Sequence, residues 1–282
     1  MKIITENIII HPFLRWTGSK RWLVKKDIEK FLPKIINNYY EPFLGGGAVF
    51  FYLKSKKEYN IGNFSISDSN EELINTYKQL RDNSELVIDS LKKFNNSSDE
   101  YYIVRDTIPD LLHDKAARFI YLNRTSFNGI YRVNSNGNYN VPYGKRSNVD
   151  IVTSDLLTSI GNILQNVDIT SGDFELILKT VKKDDFIFID PPYTVAHENN
   201  GFIMYNQKLF SWDDQIRLKN FIVALSEIGA NYILTNAYHS SIVELYSGIG
   251  KMTQVSRYSQ IGGKNSLRGN YHELIITNID GL

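Results

Sequence analysis

The sequence predicts an α/β fold built on a mostly parallel sheet, and three observations carry that prediction. Apolar runs such as Phe186-Ile187-Phe188-Ile189 lack the alternation of a half-exposed strand. Each run ends at a polar or Gly/Pro turn. Segments with helical patterning separate one run from the next, as parallel strands require.

Taken in order, Asn38 to Glu41 reads as a strand that leads into a Gly-rich turn, and Ala48 to Leu53 as the helix behind it. Ile61 to Ser67 is a second strand ending at Asp68, followed by a helix from Asn70 to Arg81. From about Asn83 to Leu122 the pattern is helical and charged. It then breaks into Asn123 to Arg146, crowded with Asn, Gly, Arg and Tyr, where no packed helix is expected. A long irregular stretch in a compact protein is usually functional or disordered. Phe127, Tyr131, Tyr139 and Tyr143 argue against disorder. Strands then return. Asp168 to Thr170 precedes Gly172-Asp173-Phe174, Phe186 to Ile189 precedes Asp190-Pro191-Pro192-Tyr193, and Tyr232 to Leu234 precedes Thr235-Asn236. Helices are expected over Trp212 to Ser226 and Ser240 to Tyr246. In such sheets ligands bind beyond the carboxyl ends of the strands, where these turns cluster.

A chain of 282 residues holds one large α/β domain with an insertion, or two modest domains. With 42% hydrophobic and 22% charged residues the composition is globular, which excludes a disordered chain. The formal net charge of +1 means that any nucleic-acid face must be a local basic patch. Zero cysteines exclude disulfides and thiolate metal sites and fit a reducing compartment. The segment Met1 to Ile10 has no apolar core of signal-peptide type, and no stretch approaches the ~20 apolar residues of a membrane span. A soluble cytoplasmic protein is the expectation.

Asp190-Pro191-Pro192-Tyr193 is the sharpest chemical signal. Two prolines fix φ and remove two backbone donors, leaving carbonyls as acceptors. A carboxylate and a rigid carbonyl with no competing donor suit an NH₂ group whose two hydrogens must both be held. The adjacent tyrosine can stack on a planar ring. The bland alternative is a turn that merely ends a strand. In Glu41-Pro42-Phe43-Leu44-Gly45-Gly46-Gly47, consecutive glycines let the backbone turn tightly and approach a ligand. This matches neither G-x-G-x-x-G nor a phosphate-binding P-loop, and a plain strand-to-helix turn stays open. Asp68 stands where the acidic residue after a second strand commonly holds ribose hydroxyls; a helix N-cap is the competing role, with Asn70 the rival for it. Phe13-Leu14-Arg15-Trp16-Thr17-Gly18-Ser19-Lys20 joins a tryptophan to two cations, against the alternative of a core Trp. His11, His113, His197, His239 and His272 show no metal-ligand spacing, so no metal is expected.

In this order the segments resemble the Dam-like (D12-class) N6-adenine DNA methyltransferases. That family carries W-x-G-(G or S)-K, E-P-F-x-G-G-G, an acidic residue after the second strand, an inserted DNA-recognition region, and D-P-P-Y. Here they are Trp16 to Lys20, Glu41 to Gly47, Asp68 and Asp190 to Tyr193. The insert matches in Asn128-Gly129-Ile130-Tyr131-Arg132-Val133-Asn134 and in Asn140-Val141-Pro142-Tyr143-Gly144. The resemblance runs from about His11 to Asn278, with Ser19 standing where many members carry glycine.

The resemblance implies a class I, Rossmann-like, doubly wound catalytic domain over residues 1–70 and 151–282, interrupted by a mostly helical target-recognition domain over residues 71–150. It implies S-adenosyl-L-methionine as cofactor, with contacts from Trp16, Lys20, Asp68 and Asp190. Glu41, Phe43, Gly45 and Gly47 would form the loop beneath the methionine moiety, and Asp173 and Phe174 the adenine-binding segment. Catalysis would fall to Asp190, Pro191, Pro192 and Tyr193. Duplex DNA would be read by Arg132 at a guanine and entered by Asn128 at the displaced adenine. Ile130 and Pro142 belong to the same loop, and Arg15 stands where the family often has a base-contacting lysine. Arg124, Lys145, Arg146 and Arg268 would hold phosphates. The implied reaction methylates N6 of a flipped-out adenine in a short duplex site, with GATC the site the insert points to. A monomer in solution is expected, and whether a cognate restriction endonuclease accompanies it stays open. Two other readings stay open: an amino-methyltransferase acting on RNA or on cytosine N4, and a DNA-binding module of the same fold without catalysis.

Overall fold

A computed structural model describes residues 11–56, 58–146, 148–194, 210–258 and 270–279. Among the described residues seven strands form one sheet: β1 (Asn38–Glu41), β2 (Asn63–Asp68), β3 (Val167–Ser171), β4 (Phe186–Ile189), β5 (Asn231–Ala237), β6 (Lys251–Tyr258) and β7 (Asn270–Thr277). Their order is β3-β2-β1-β4-β5-β7-β6. β2 pairs parallel with β3, β1 with β4, and β4 with β5. The expected mostly parallel α/β sheet is present, and its order reverses between β1 and β4, as in doubly wound folds. The antiparallel pairs β5–β7 and β6–β7 were not legible in the sequence. The edge strand β6 carries no continuous apolar run, and although β7 has Leu274-Ile275-Ile276, nothing local in that run marks its direction as antiparallel.

By compactness the chain divides into two units. The first comprises the described parts of Met1–Arg21, Leu44–Tyr59 and Phe64–Asp173; the second those of Trp22–Phe43, Asn60–Asn63 and Phe174–Leu282.

The first unit is built around the helix Glu71–Leu91, which begins where the Asn70 side chain accepts a 3.1 Å hydrogen bond from the Leu73 N–H. Asn70, not Asp68, is therefore the N-cap. The helix runs ten residues beyond its expected end at Arg81, through a kink at Asn83 (φ −144°, ψ 39°). It buries Leu73, Ile74, Tyr77, Leu80, Val87, Ile88 and Leu91, which fall along one face of the helix, and packs on the helix Leu112–Thr125. Beyond that helix the chain makes a single 3₁₀ turn, Phe127–Gly129, and folds back on itself through antiparallel bridges between Val133 and Tyr139 and between Ser126 and Tyr143. The Asn- and Gly-rich stretch is thus an ordered hairpin, held by its tyrosines: Tyr139 donates to the Ile130 carbonyl and Tyr143 to Asn96.

In the second unit alternate residues of the strands (Tyr40, Ile187, Ile189, Tyr232, Leu234, Leu274 and Ile276) meet Leu218, Phe221, Ile222 and Leu225 of the helix Trp212–Ile228 in one core. Each such buried side chain contributes roughly 1.5–3 kcal/mol. That helix starts with a capping box between Ser211 and Asp214 and ends at Gly229 (φ 82°), so its bounds follow from its caps.

Candidate active site and DNA-facing hairpin

In the first unit the glycine turn is clamped by the acid that ends β2. Asp68 Oδ2 accepts from the Gly45 N–H at 3.0 Å, and Oδ1 accepts from the Asn70 N–H at 3.0 Å. Burial raises the Asp68 carboxyl above the ordinary range, while N–H donors from Gly45, Asn70 and Ser69 pull it back. The carboxylate is a loop clamp before it is anything else, a use that its position after a strand does not reveal.

Gly45 has φ +47°, and a Cβ there would stand 2.6 Å from Trp16 Nε1. The indole lies against the loop, so only glycine fits. Trp16 is half-buried and stacks on Tyr131 (5.8 Å between centroids, 19° between planes) and on Phe119 (6.5 Å, 26°). The tryptophan and the glycine turn, remote in sequence, are brought together. Lys20 is buried, and its ammonium donates to the Gly18 carbonyl at 2.8 Å. Gly47 (φ 66°) is the residue before the helix Ala48–Ser55, and Asp173, which is exposed, closes the unit.

The hairpin presents exposed residues at its turn. Phe127 is 52% exposed, and Asn128 is exposed in a left-handed conformation (φ 57°). Ile130 is partly buried and Pro142 exposed. Arg132 is exposed and directs its guanidinium onto Asn140, with Nε 2.8 Å from the side-chain oxygen and Nη2 3.3 Å from the carbonyl. Arg15 is exposed; its N–H donates to Asn123 Oδ1, and Asn123 Nδ2 donates to both the Arg15 and Gly129 carbonyls. A Cβ on Gly129 (φ +65°) would fall 2.7 Å from the Arg15 side chain. Arg15 is thereby locked beside the hairpin, which sequence separation concealed.

The four cations expected at phosphates separate into different classes. Lys145 is exposed with φ 52°. Arg124 instead spends its guanidinium on the Asp150 carbonyl at 2.6 Å and the Thr153 hydroxyl at 3.1 Å, and burial lowers its pKa. Arg146 donates to the carbonyls of Arg124 at 2.6 Å and Ser126 at 3.3 Å. Both arginines brace the base of the hairpin by donating to backbone carbonyls, Arg124 to that of Asp150 and Arg146 to those of Arg124 and Ser126. Arg268 lies outside the described residues. Two polar residues went unread in the sequence: Glu72 accepts from the Tyr131 hydroxyl at 3.1 Å and sits 3.4 Å from the buried Arg118 guanidinium.

In the second unit Glu41 and Asp190 follow from adjacent parallel strands. The register Tyr40↔Ile187 puts Glu41 at the carboxyl end of β1, and Asp190 directly follows β4. These carboxylates stand where the sheet order reverses, the position at which α/β sheets bind ligands. Glu41 is buried and accepts from the Tyr39 hydroxyl at 2.7 Å; burial first, and Glu41 second, raise the Tyr39 pKa. Phe43 stacks on Phe174 (5.3 Å, 28°), and Phe174 also receives the Arg217 guanidinium over its face at 5.0 Å.

Asp190 and Tyr193 are partly exposed, and Pro191 is buried beneath them. The Asp190 carboxylate accepts from the Thr235 hydroxyl at 2.7 Å, and the Tyr193 hydroxyl donates to Glu273 at 2.9 Å. Behind them Gln215 donates to Thr194 and accepts from Asn236 and Tyr246, all four residues being buried. A charged acceptor and an aromatic ring are thus held by buried partners on β5 and β7.

The segment from residue 16 to 260 matches the model of the family described as D12 class N6 adenine-specific DNA methyltransferase. The chain belongs to that family. A type II methyltransferase of Lactococcus lactis subsp. cremoris is 38% identical, the match covering 99% of this chain and 99% of the relative. A type II methyltransferase of Methanocaldococcus jannaschii is 37% identical over 95% of this chain and 99% of the relative. A DNA adenine methylase of Haemophilus influenzae is 29% identical over 94% and 92%. This D12-class enzyme is an adenine-specific DNA methyltransferase, and the openings left to RNA, cytosine or a non-catalytic module give way to that reading. No helix among its described residues is long and apolar enough to cross a membrane.

Proposed function

We propose that this enzyme transfers a methyl group from S-adenosylmethionine to N6 of an adenine flipped out of a short duplex site, with Asp190 as the acceptor that holds the amino group. The observation that carries the reading is the place of Asp190: a carboxylate ending a buried parallel strand, followed by two prolines, at the reversal of strand order. The N6 lone pair is delocalised into the adenine ring and is a poor nucleophile. With Asp190 and the Pro191 carbonyl each accepting one N6–H, the nitrogen is drawn toward tetrahedral geometry and its lone pair is freed. Preorganised acceptors of this kind act at the atom where charge develops. Tyr193 stacks on the flipped base, which offsets part of the few kcal/mol of unstacking.

S-adenosylmethionine fits the residues present, since a glycine turn backed by the Trp16 indole lets the backbone approach a ligand and acids stand at the strand ends. Trp16, Lys20, Glu41, Phe43, Gly45, Gly47, Asp68, Asp173 and Phe174 would hold it, and when bound it supplies an electrophilic methyl group. Residues 71–150 act as the target-recognition segment. There Arg132 reads a guanine edge, Asn128 enters at the displaced adenine, Ile130 and Pro142 shape the turn, and Arg15 and Lys145 meet DNA beside it. GATC is the proposed site. A DNA substrate places the enzyme in the cytoplasm. It would act as a monomer, and its type II relatives suggest a cognate restriction endonuclease. Sequencing that reports modified bases tests the reading on DNA from cells expressing wild type or Asp190→Ala. N6-methyladenine at one short motif in the wild type alone is the expected result. Methylation persisting with Asp190→Ala, or absent in both, rejects it.

A further inference from the structure

We propose that Thr235 is a positioning residue for methyl transfer: its hydroxyl holds Oδ1 of Asp190 and so sets the orientation in which the carboxylate meets the adenine amino group. The inference rests on the role given to Asp190 above. The Thr235 oxygen lies 2.7 Å from Asp190 Oδ1 and 3.3 Å from the Ile189 carbonyl, and the residue is 0% exposed.

The backbone leaves Thr235 little freedom to do otherwise. β4 and β5 pair in parallel up to Ile189↔Leu234, so Thr235 stands one step beyond the last paired position, beside Asp190. On its other side Thr235 pairs with Ile275 of β7. A buried β-branched side chain on a strand paired at both edges is restricted at χ1, so the hydroxyl is held before substrate arrives. Asp190 stands past the end of its own strand, where no strand pairing fixes its two side-chain torsions. A rigid donor at Oδ1 restrains the orientation of the carboxylate. Displacement of a reacting group by an ångström can cost about 100-fold in rate.

Steady-state and single-turnover methylation of a cognate duplex by the full chain tests this with Thr235→Val, Thr235→Ser and Thr235→Ala. Valine keeps the shape and removes the hydroxyl. We expect Thr235→Val to lower kcat about tenfold or more, with KM for DNA and Kd for cofactor within about twofold. Thr235→Ser is expected to restore most of the rate. Should Thr235→Val fold poorly, the Ser-to-Ala comparison isolates the same hydroxyl, since each lacks the methyl. Wild-type kcat in Thr235→Val, a loss confined to KM, or equal rates for Ser and Ala would overturn the proposal. Asp190→Asn in parallel separates the two failures. If it turns over normally, the role of Asp190 is wrong; if it is slow while Thr235→Val is normal, only Thr235 is wrong.

Discussion

The Tyr193 hydroxyl donates a 2.9 Å hydrogen bond to Glu273, whose side chain is buried in the centre of β7. One end of the proposed stacking ring is thus tied to a carboxylate eighty residues away. Tyr193→Phe keeps the ring and deletes the donor, leaving a buried acceptor short of a partner, which costs about 1–3 kcal/mol. Denaturant unfolding should show that loss while methylation of the cognate duplex stays within a few-fold. Tyr193→Ala should instead lose about 1–3 kcal/mol of stacking, read as weaker flipping of a fluorescent adenine analogue at the target. Equal activity in the Phe and Ala variants would refute a stacking role.

Asp68 gives a pH dependence. Burial raises its carboxyl, so the folded chain disfavours the ionised form: the group contributes stability below its ordinary pKa and loses that contribution as pH rises through the raised value. Its hold on the Gly45 N–H, however, needs the ionised acceptor. Calorimetry without DNA should therefore show cofactor affinity falling as pH drops through the mildly acidic range, sooner than an ordinary Asp would allow. Asp68→Asn should bind more weakly at neutral pH, with the acid dependence flattened. An unchanged acid dependence in Asp68→Asn would show that another group titrates.

Trp16 is expected to matter to the cofactor through Gly45. Trp16→Ala should weaken S-adenosylmethionine binding, since the indole lies against the turn. Gly45→Ala should do so as well, because its Cβ would meet the indole at 2.6 Å in a left-handed backbone. Arg132→Ala, remote from that turn in its contacts, should leave calorimetric cofactor affinity intact. A loss in Arg132→Ala as large as in Trp16→Ala would contradict this division of labour.

Arg132 and Lys145 should differ in kind. If the guanidinium leaves Asn140 to fork onto a guanine, Arg132→Ala costs ~1–3 kcal/mol and relaxes discrimination at one base position. Lys145→Ala should weaken binding to all sequences alike and reduce the salt dependence. Methylation kinetics on the cognate site and its single-base variants decide. Uniform losses in both would make Arg132 a phosphate clamp.

Arg124 and Arg146 should behave as struts. Each donates to carbonyl oxygens at the base of the hairpin, and a charged donor of that kind contributes about 1.5–3 kcal/mol. Arg146→Ala is expected to lower Tm and leave the slope of DNA affinity against salt close to wild type. A flattened slope with unchanged Tm would return Arg146 to the phosphates.

Local order in the sequence determined the parallel strands, their helices and the chemistry-bearing turns. Phe186–Ile189 is apolar throughout because a central parallel strand is covered on both faces, and Asp190-Pro191-Pro192-Tyr193 declares itself because its four residues are contiguous. Where the chain ends an element with its own side chains, as Asn70 does, the boundary was also legible. What only the tertiary structure decided depends on residues far apart in sequence. The antiparallel return of β7 brings Glu273 to Tyr193, the β4–β5 register brings Thr235 to Asp190, and the fold lays Trp16 on Gly45. None of these has a sequence period. A lone Thr or Glu reads alike whether it faces water or a partner brought from a distant strand. Likewise the arginines near the hairpin share one composition. The backbone carbonyls within reach of Arg124 and Arg146, visible only once the chain has folded, make those two struts, while Lys145 stays exposed to solvent.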